Sequence, residues 1–149
     1  MIAAFVIAAV LPLQVDRNPT VGVPSPAVTD ANIDQTICKP GWTATIRPPA
    51  YYTDKLKREQ LPPGSNLSLF EEDHVLPLEA GGDPRDPHNL RPQAWIGPDG
   101  ARAKDHQVEN VVHKAICAHT MTLEAGRAII SVWILAHHPY PAVQLRARQ

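Results

Sequence analysis

Asp73-His74 and Asn89-Leu90, with Asp105 farther along the chain, are the residues here whose types and spacing could do chemistry. An imidazole titrates near neutrality and can take a proton from water. A carboxylate beside it can hold a hard divalent cation, which neutralises charge on an oxyanion and on a leaving oxygen. Asp73 and His74 close an acidic run, Glu71-Glu72-Asp73-His74, and lead into a short apolar stretch, Val75-Leu76-Pro77-Leu78. A segment rich in Gly, Pro and Asp follows, Glu79 to Pro87, and ends in His88-Asn89-Leu90. Taken singly, each residue has an ordinary alternative, since Asp-His can close a surface strand and Asn-Leu can leave a turn. Taken together they are more specific than singly, and they are residue types that metal-assisted hydrolysis uses.

The stretch Glu-Glu-Asp-His-Val-Leu-Pro-Leu-Glu-Ala-Gly-Gly-Asp-Pro-Arg-Asp-Pro-His-Asn-Leu-Arg-Pro-Gln resembles the HNH endonuclease signature. It is similar to a subgroup of small bacterial HNH proteins in which a Lys-Asp pair and a Glu follow on a helix, as Lys104-Asp105 and Glu109 do here. The resemblance runs from about Thr36 to about Ala136. It implies an α+β fold, a ββα-metal (HNH) nuclease core with flanking helices, and a metal-dependent endonuclease of low sequence specificity that hydrolyses phosphodiesters. His74 would be the general base. Asn89 would hydrogen-bond across the loop and hold the His74 imidazole, whose tautomer a backbone carbonyl would anchor. Asp73 and Asp105 would hold one divalent cation, Mg²⁺ or Mn²⁺, because oxygen ligands favour those ions. Arg91, Arg102 and Lys104 are the expected phosphate contacts. The expected partner is nucleic acid, DNA before RNA, and an immunity or inhibitor protein is an open partner. Two rivals stand beside this reading: a catalytically inactive HNH-like fold that binds nucleic acid or protein, and an envelope protein whose Asp-His and Asn-Leu are turn chemistry only.

The elements that must position these residues are short. Thr29 or Asp30 caps a helix to about Ile37, and Lys39-Pro40-Gly41 turns the chain. The β-branched run Trp42–Ile46 predicts a strand, and Thr53 precedes a polar helix over Asp54–Gln60, stopped by Pro62-Pro63-Gly64. Asp73–Leu78 and Asn89–Gln93 predict two strands joined by a long Ω-type loop. A helix over Ala101–Cys117 carries Val108, Val111, Val112, Ala115 and Ile116 on one side. At ~100° per residue, Asp105 falls inside or beside that buried stripe, Glu109 at its margin, and His106 and His113 toward solvent. A buried carboxylate must be paired or metal-bound, which favours Asp105 as the helix ligand, with a salt bridge as the alternative. Thr122 caps a final helix with Glu124 in its first turn and Ala128, Ile129, Val132, Trp133 and Ala136 as its apolar stripe, closed at His138 by Pro139.

Length and composition give one domain, 29–149, behind a probable signal peptide or its remnant at 1–15 and a linker at 16–28. The first fifteen residues carry no charge and are too few to span a membrane. After processing, no membrane association is expected, and the protein is expected to be exported, periplasmic or secreted. Cys38 and Cys117 are the two cysteines, and in an exported chain they read as one disulfide; buried free thiols are the alternative. The formal net charge of −1 excludes a broadly basic nucleic-acid binder and leaves room only for a local basic rim.

Overall fold

In the computed structural model residues 21–137 are described; the expected export segment, residues 16–20 of the expected linker and the Pro139 stop lie outside them. The molecule mixes helix and sheet, as an α+β fold requires. Strands β1 (Phe70–His74) and β2 (Leu90–Ala94) pair antiparallel with Phe70 opposite Ala94 and His74 opposite Leu90. Both strands lie slightly off their expected bounds. β1 starts three residues early and stops at His74, because Val75, Leu76 and Leu78 leave the ladder for the core.

Two helices precede the hairpin, α1 (Trp42–Ile46) and α2 (Ala50–Gln60). The first corrects an expected strand. Its β-branched residues find no partner strand, Gly41 enters it with a positive φ, and Trp42 packs against the core. A lone strand would leave its backbone groups unpaired, whereas one helical turn satisfies them locally. α2 lies on the hairpin, with Lys57 Nζ donating to the Phe70 carbonyl and Gln60 Nε2 donating to Glu72 Oε1.

After β2, one helical run carries the chain through α3 (Ala101–Lys104), a π turn over Asp105–Glu109, and α4 (Asn110–Cys117). α5 (Leu123–His137) packs back on α4. Its N-terminus is capped twice, by Thr122 Oγ1 accepting from Ala125 N and by Asp30 Oδ1 accepting from Leu123 N. The buried face of α5 is Leu123, Gly126, Ile130, Ser131 and Ile134, whereas Ile129 and Val132, expected inside, are 45% and 69% exposed. This helix is apolar nearly all round, so periodicity does not choose a face. Gly126 does, because a Cβ there would stand 2.7 Å from Ile116 Cδ1 and 2.8 Å from Val112 Cγ1.

The core gathers Val28, Ile33, Ile37, Val75, Leu76, Val108, Val112, Ile116, Ile130 and Ile134. Within residues 21–28, expected in a linker, Val28 belongs to it and Val21 packs against it. Val21 N donates to Ser131 Oγ, Val23 N to Asn89 Oδ1, and Ser25 N to the Gly81 carbonyl. The segment is extended, as its Pro-rich composition suggests, but it is a strap across the loop and no spacer. Cys38 and Cys117 form a disulfide, tying the N-terminal segment to the end of α4. No helix among the described residues is long and apolar enough to cross a membrane.

Candidate active site

His74 ends β1 with its ring 4% exposed. Its Nε2 lies 3.1 Å from the Pro84 carbonyl, which can only accept, so Nε2 carries the proton and Nδ1 keeps its lone pair. Burial pushes the imidazole below its ordinary value of 6.5, against the opposing pull of the Pro84 carbonyl and the Asp73 charge. The ring is therefore neutral at pH 7, the state a general base needs.

Pro84 is where it is because the loop 75–89 is pinned from within. Asn89 is fully buried and uses its whole amide. Its Oδ1 accepts from Leu76 N at 2.9 Å and from Val23 N at 3.0 Å, and its Nδ2 donates to the Leu76 carbonyl at 3.0 Å and the Asp83 carbonyl at 2.8 Å. Asn89 thus spans the loop, and it acts on the imidazole only through the backbone that carries Pro84. Arg127 adds a second clamp from α5 on the Ala80 and Gly81 carbonyls. Gly82 permits the closure, since a Cβ there would come within 1.8 Å of the Leu76 carbonyl oxygen.

Arg47, Glu71, Asp73, His74, Glu79, Asp105 and Glu109 line a cavity of about 280 Å³. Strand alternation puts Glu71 and Asp73 on the face toward the π turn, and the neighbouring Glu72 faces α2. Burial, then the charges of Asp73 and Asp105, push the Glu71 carboxyl up to about 7. Burial likewise raises Glu109, against the pull of Lys104.

The structure brings Asp73, His74 and Asp105 to one cavity, whereas none of the three expected phosphate contacts lines it. Lys104, expected on the surface, is fully buried, with Nζ 2.7 Å from Asp73 Oδ2 and 2.8 Å from Glu109 Oε1 and a third bond to the His74 carbonyl. It can reach no phosphate. Arg91 stands opposite Asp73 across the hairpin and lines a neighbouring hollow, and exposed Arg102 lines an apolar hollow with Leu69 and Trp95. The cation at the cavity is Arg47, half exposed and 3.9 Å from Glu79. In the sequence nothing singles it out from the neighbouring Lys and Arg residues.

The helical positions also differ from those expected. Asp105 is exposed and Glu109 buried, the reverse of the 100° wheel. The π turn between them widens the helix locally and rotates Glu109 inward. His106 is exposed as expected, but His113 is half buried, with Nε2 3.0 Å from the Ile37 carbonyl.

Asp73 and Asp105 are the oxygen donors in the cavity that could hold a hard cation. Lys104 takes one Asp73 oxygen, and no donor among the described residues reaches Asp73 Oδ1 or the Asp105 carboxylate. Two carboxylates without a third converging ligand suit an ion that keeps most of its water, as Mg²⁺ does. Among the described residues, the group of three ligand-type side chains whose atoms lie within 4.8 Å of one another is instead Cys38, His113 and Cys117. Its sulfurs are joined to each other and present no thiolate. No family model, curated protein or solved structure matches the chain.

Proposed function

We propose that this protein is a divalent-cation-dependent endonuclease of the HNH kind, exported, hydrolysing nucleic-acid phosphodiesters with little sequence preference. The observation that carries the reading is the contact of His74 Nε2 with the Pro84 carbonyl, which leaves Nδ1 as the available nitrogen of a buried imidazole whose residue lines an acidic cavity with Asp73. The order strand, long loop, strand, helix is that of a ββα-metal core, and the disulfide supports export.

In this reading His74 Nδ1 takes the proton from the attacking water. Asp73 Oδ1 and Asp105 would hold Mg²⁺ or Mn²⁺, which supplies charge neutralisation at the scissile phosphate and leaving oxygen. Asn89 keeps the loop closed so that Pro84 holds the ring, and Arg47 replaces Lys104 as the phosphate contact at the rim. The carboxylates around the cavity would repel a polyanion unless a cation neutralised them, which favours a metal-dependent enzyme over an inactive nucleic-acid binder at this surface. DNA is the first substrate to test and RNA the second.

A plasmid and a structured RNA should be incubated with the protein in Mg²⁺ or Mn²⁺, with and without a chelator. Cleavage that the chelator abolishes and His74→Ala removes is expected. Cleavage unaffected by either change would overturn the assignment, and binding without cleavage would favour the inactive module.

A further inference from the structure

Lys104 is the one lysine buried without any exposed surface among the described residues, and the nuclease chemistry proposed above does not use it. Its ammonium is surrounded by three oxygens on three different residues: it donates to Asp73 Oδ2 and to the His74 carbonyl and forms an ion pair with Glu109 Oε1. These groups come from both sides of the site, two from the end of β1 and one from the helical run after β2. The π turn is what lets the helical partner arrive. Lys104 and Glu109 are five residues apart, a separation that an α-helix rotates by ~140°, whereas a π turn stacks residues at that spacing.

Two carboxylates and a backbone carbonyl converging on one point are also the donor set of a hard divalent cation. The carboxylate oxygens stand 2.7 and 2.8 Å from Nζ, and a contraction of roughly 0.5 Å would bring them to divalent-cation distances. The ammonium therefore occupies a cation position behind Asp73. It also leaves Asp73 only Oδ1 to offer to the cavity.

We propose that Lys104 stands in for a second metal ion. Its fixed positive charge fills an oxygen cage that would otherwise take a divalent cation, and it thereby restricts the site to a single exchangeable ion on the cavity side of Asp73. Lys104 is a positioning residue in this arrangement, acting on Asp73 and Glu109. The inference deepens the nuclease reading, and its test does not depend on cleavage.

The number of Mn²⁺ ions bound is counted by calorimetry and by loss of the free-ion electron paramagnetic resonance signal. Wild type is compared with Lys104→Ala, which vacates the cage, and Lys104→Met, which fills it without charge. Lys104→Ala is expected to bind one ion more than wild type, with a thermal midpoint that falls in chelator and recovers with Mn²⁺. Lys104→Met is expected to gain no ion and to show no such recovery. Equal ion counts in Lys104→Ala and wild type would overturn the proposal, as would an extra ion in Lys104→Met. Should Lys104→Ala not fold even with Mn²⁺, the proposal also falls, because the ion then fails to replace the ammonium. Glu109→Gln in the wild-type background gives an independent check. It should keep the wild-type affinity for the first ion if Glu109 serves Lys104, and a tenfold loss would make Glu109 a ligand of that ion and contradict the arrangement. The wild-type count itself, one or none, reports on the nuclease reading separately.

Discussion

The hydrogen bond from His74 Nε2 to the Pro84 carbonyl decides which nitrogen can act, and burial decides at what pH. His74→Ala should lower cleavage by about 10²-fold or more, the usual contribution of a general base; single-turnover rates, with circular dichroism to confirm the fold, would measure it. Because burial lowers the imidazole below 6.5, the neutral base persists into mild acid, and the acid limb of the kcat/KM profile should fall below pH 6.5. A limb above that value would show that another group is being titrated. The same shift contributes stability that is present above 6.5 and lost as pH falls through the folded value. At this scale the placement of Asp73, His74 and Asn89 at the two ends of one loop was legible in the sequence, because the motif spaces them so. Lys104 was not. A lysine in a run of mixed charge reads as solvated, and only the meeting of β1 with the helical run shows that its ammonium is enclosed.

The helical run after β2 shows why element-level reading succeeded in outline and failed in detail. Its apolar spacing fixed its bounds, but a wheel of constant pitch cannot anticipate a π turn, and so it exchanged the environments of Asp105 and Glu109. Trp42–Ile46 failed for another reason: β-branched composition favours a strand only where a partner exists. Glu72, on the α2 side of the hairpin, offers a clean electrostatic test away from the cavity. Burial raises its carboxyl to about 7 against the hydrogen bond from Gln60. A raised carboxyl contributes stability that is full below its ordinary 4.5 and lost as pH rises through 7. Glu72→Gln should therefore flatten the decline of urea-unfolding free energy between those limits, with a relative gain of about 2 kcal/mol at pH 8. Between α4 and α5, Gly126→Ala should destabilise despite alanine's better helix propensity. Forcing apart Val112 and Ile116 should outweigh the ~1 kcal/mol propensity gain, for a net loss of about 1 kcal/mol in the same assay.

Taken whole, the molecule is a small core closed by contacts between distant parts of the chain. The disulfide spans 79 residues, so replacing Cys38 and Cys117 by serine should cost about 4 kcal/mol through lost loop-closure entropy. Mass spectrometry of the native protein without reductant should give a mass two hydrogens below that of the reduced form. The disulfide was legible from a single pair of cysteines in a chain read as exported. The packing of residues 21–28 was not, since proline-rich composition is common to spacers and straps. With a net charge of −1 and Arg47 as the rim cation, nucleic-acid affinity should fall with salt along a shallow slope. Arg47→Ala should flatten the log–log plot by roughly one unit and weaken all sequences alike. Cut sites mapped on random DNA should then show no sharp consensus.

The sharing of Asn89 Oδ1 between Leu76 N and Val23 N has a consequence for how the molecule breathes. When the strap lifts, Asn89 loses one of its two donors, Asp83 N loses the Val23 carbonyl, and Ser25 N loses Gly81. The amides of Val23, Ser25 and Asp83 should therefore exchange with deuterium through one sub-global opening, at a free energy below that of Val112 in the core. Pro84 sits next to Asp83, so each such opening also frees the carbonyl that orients the His74 ring. The chain's first described residues would then set the fraction of time for which the proposed base, His74, is correctly aimed.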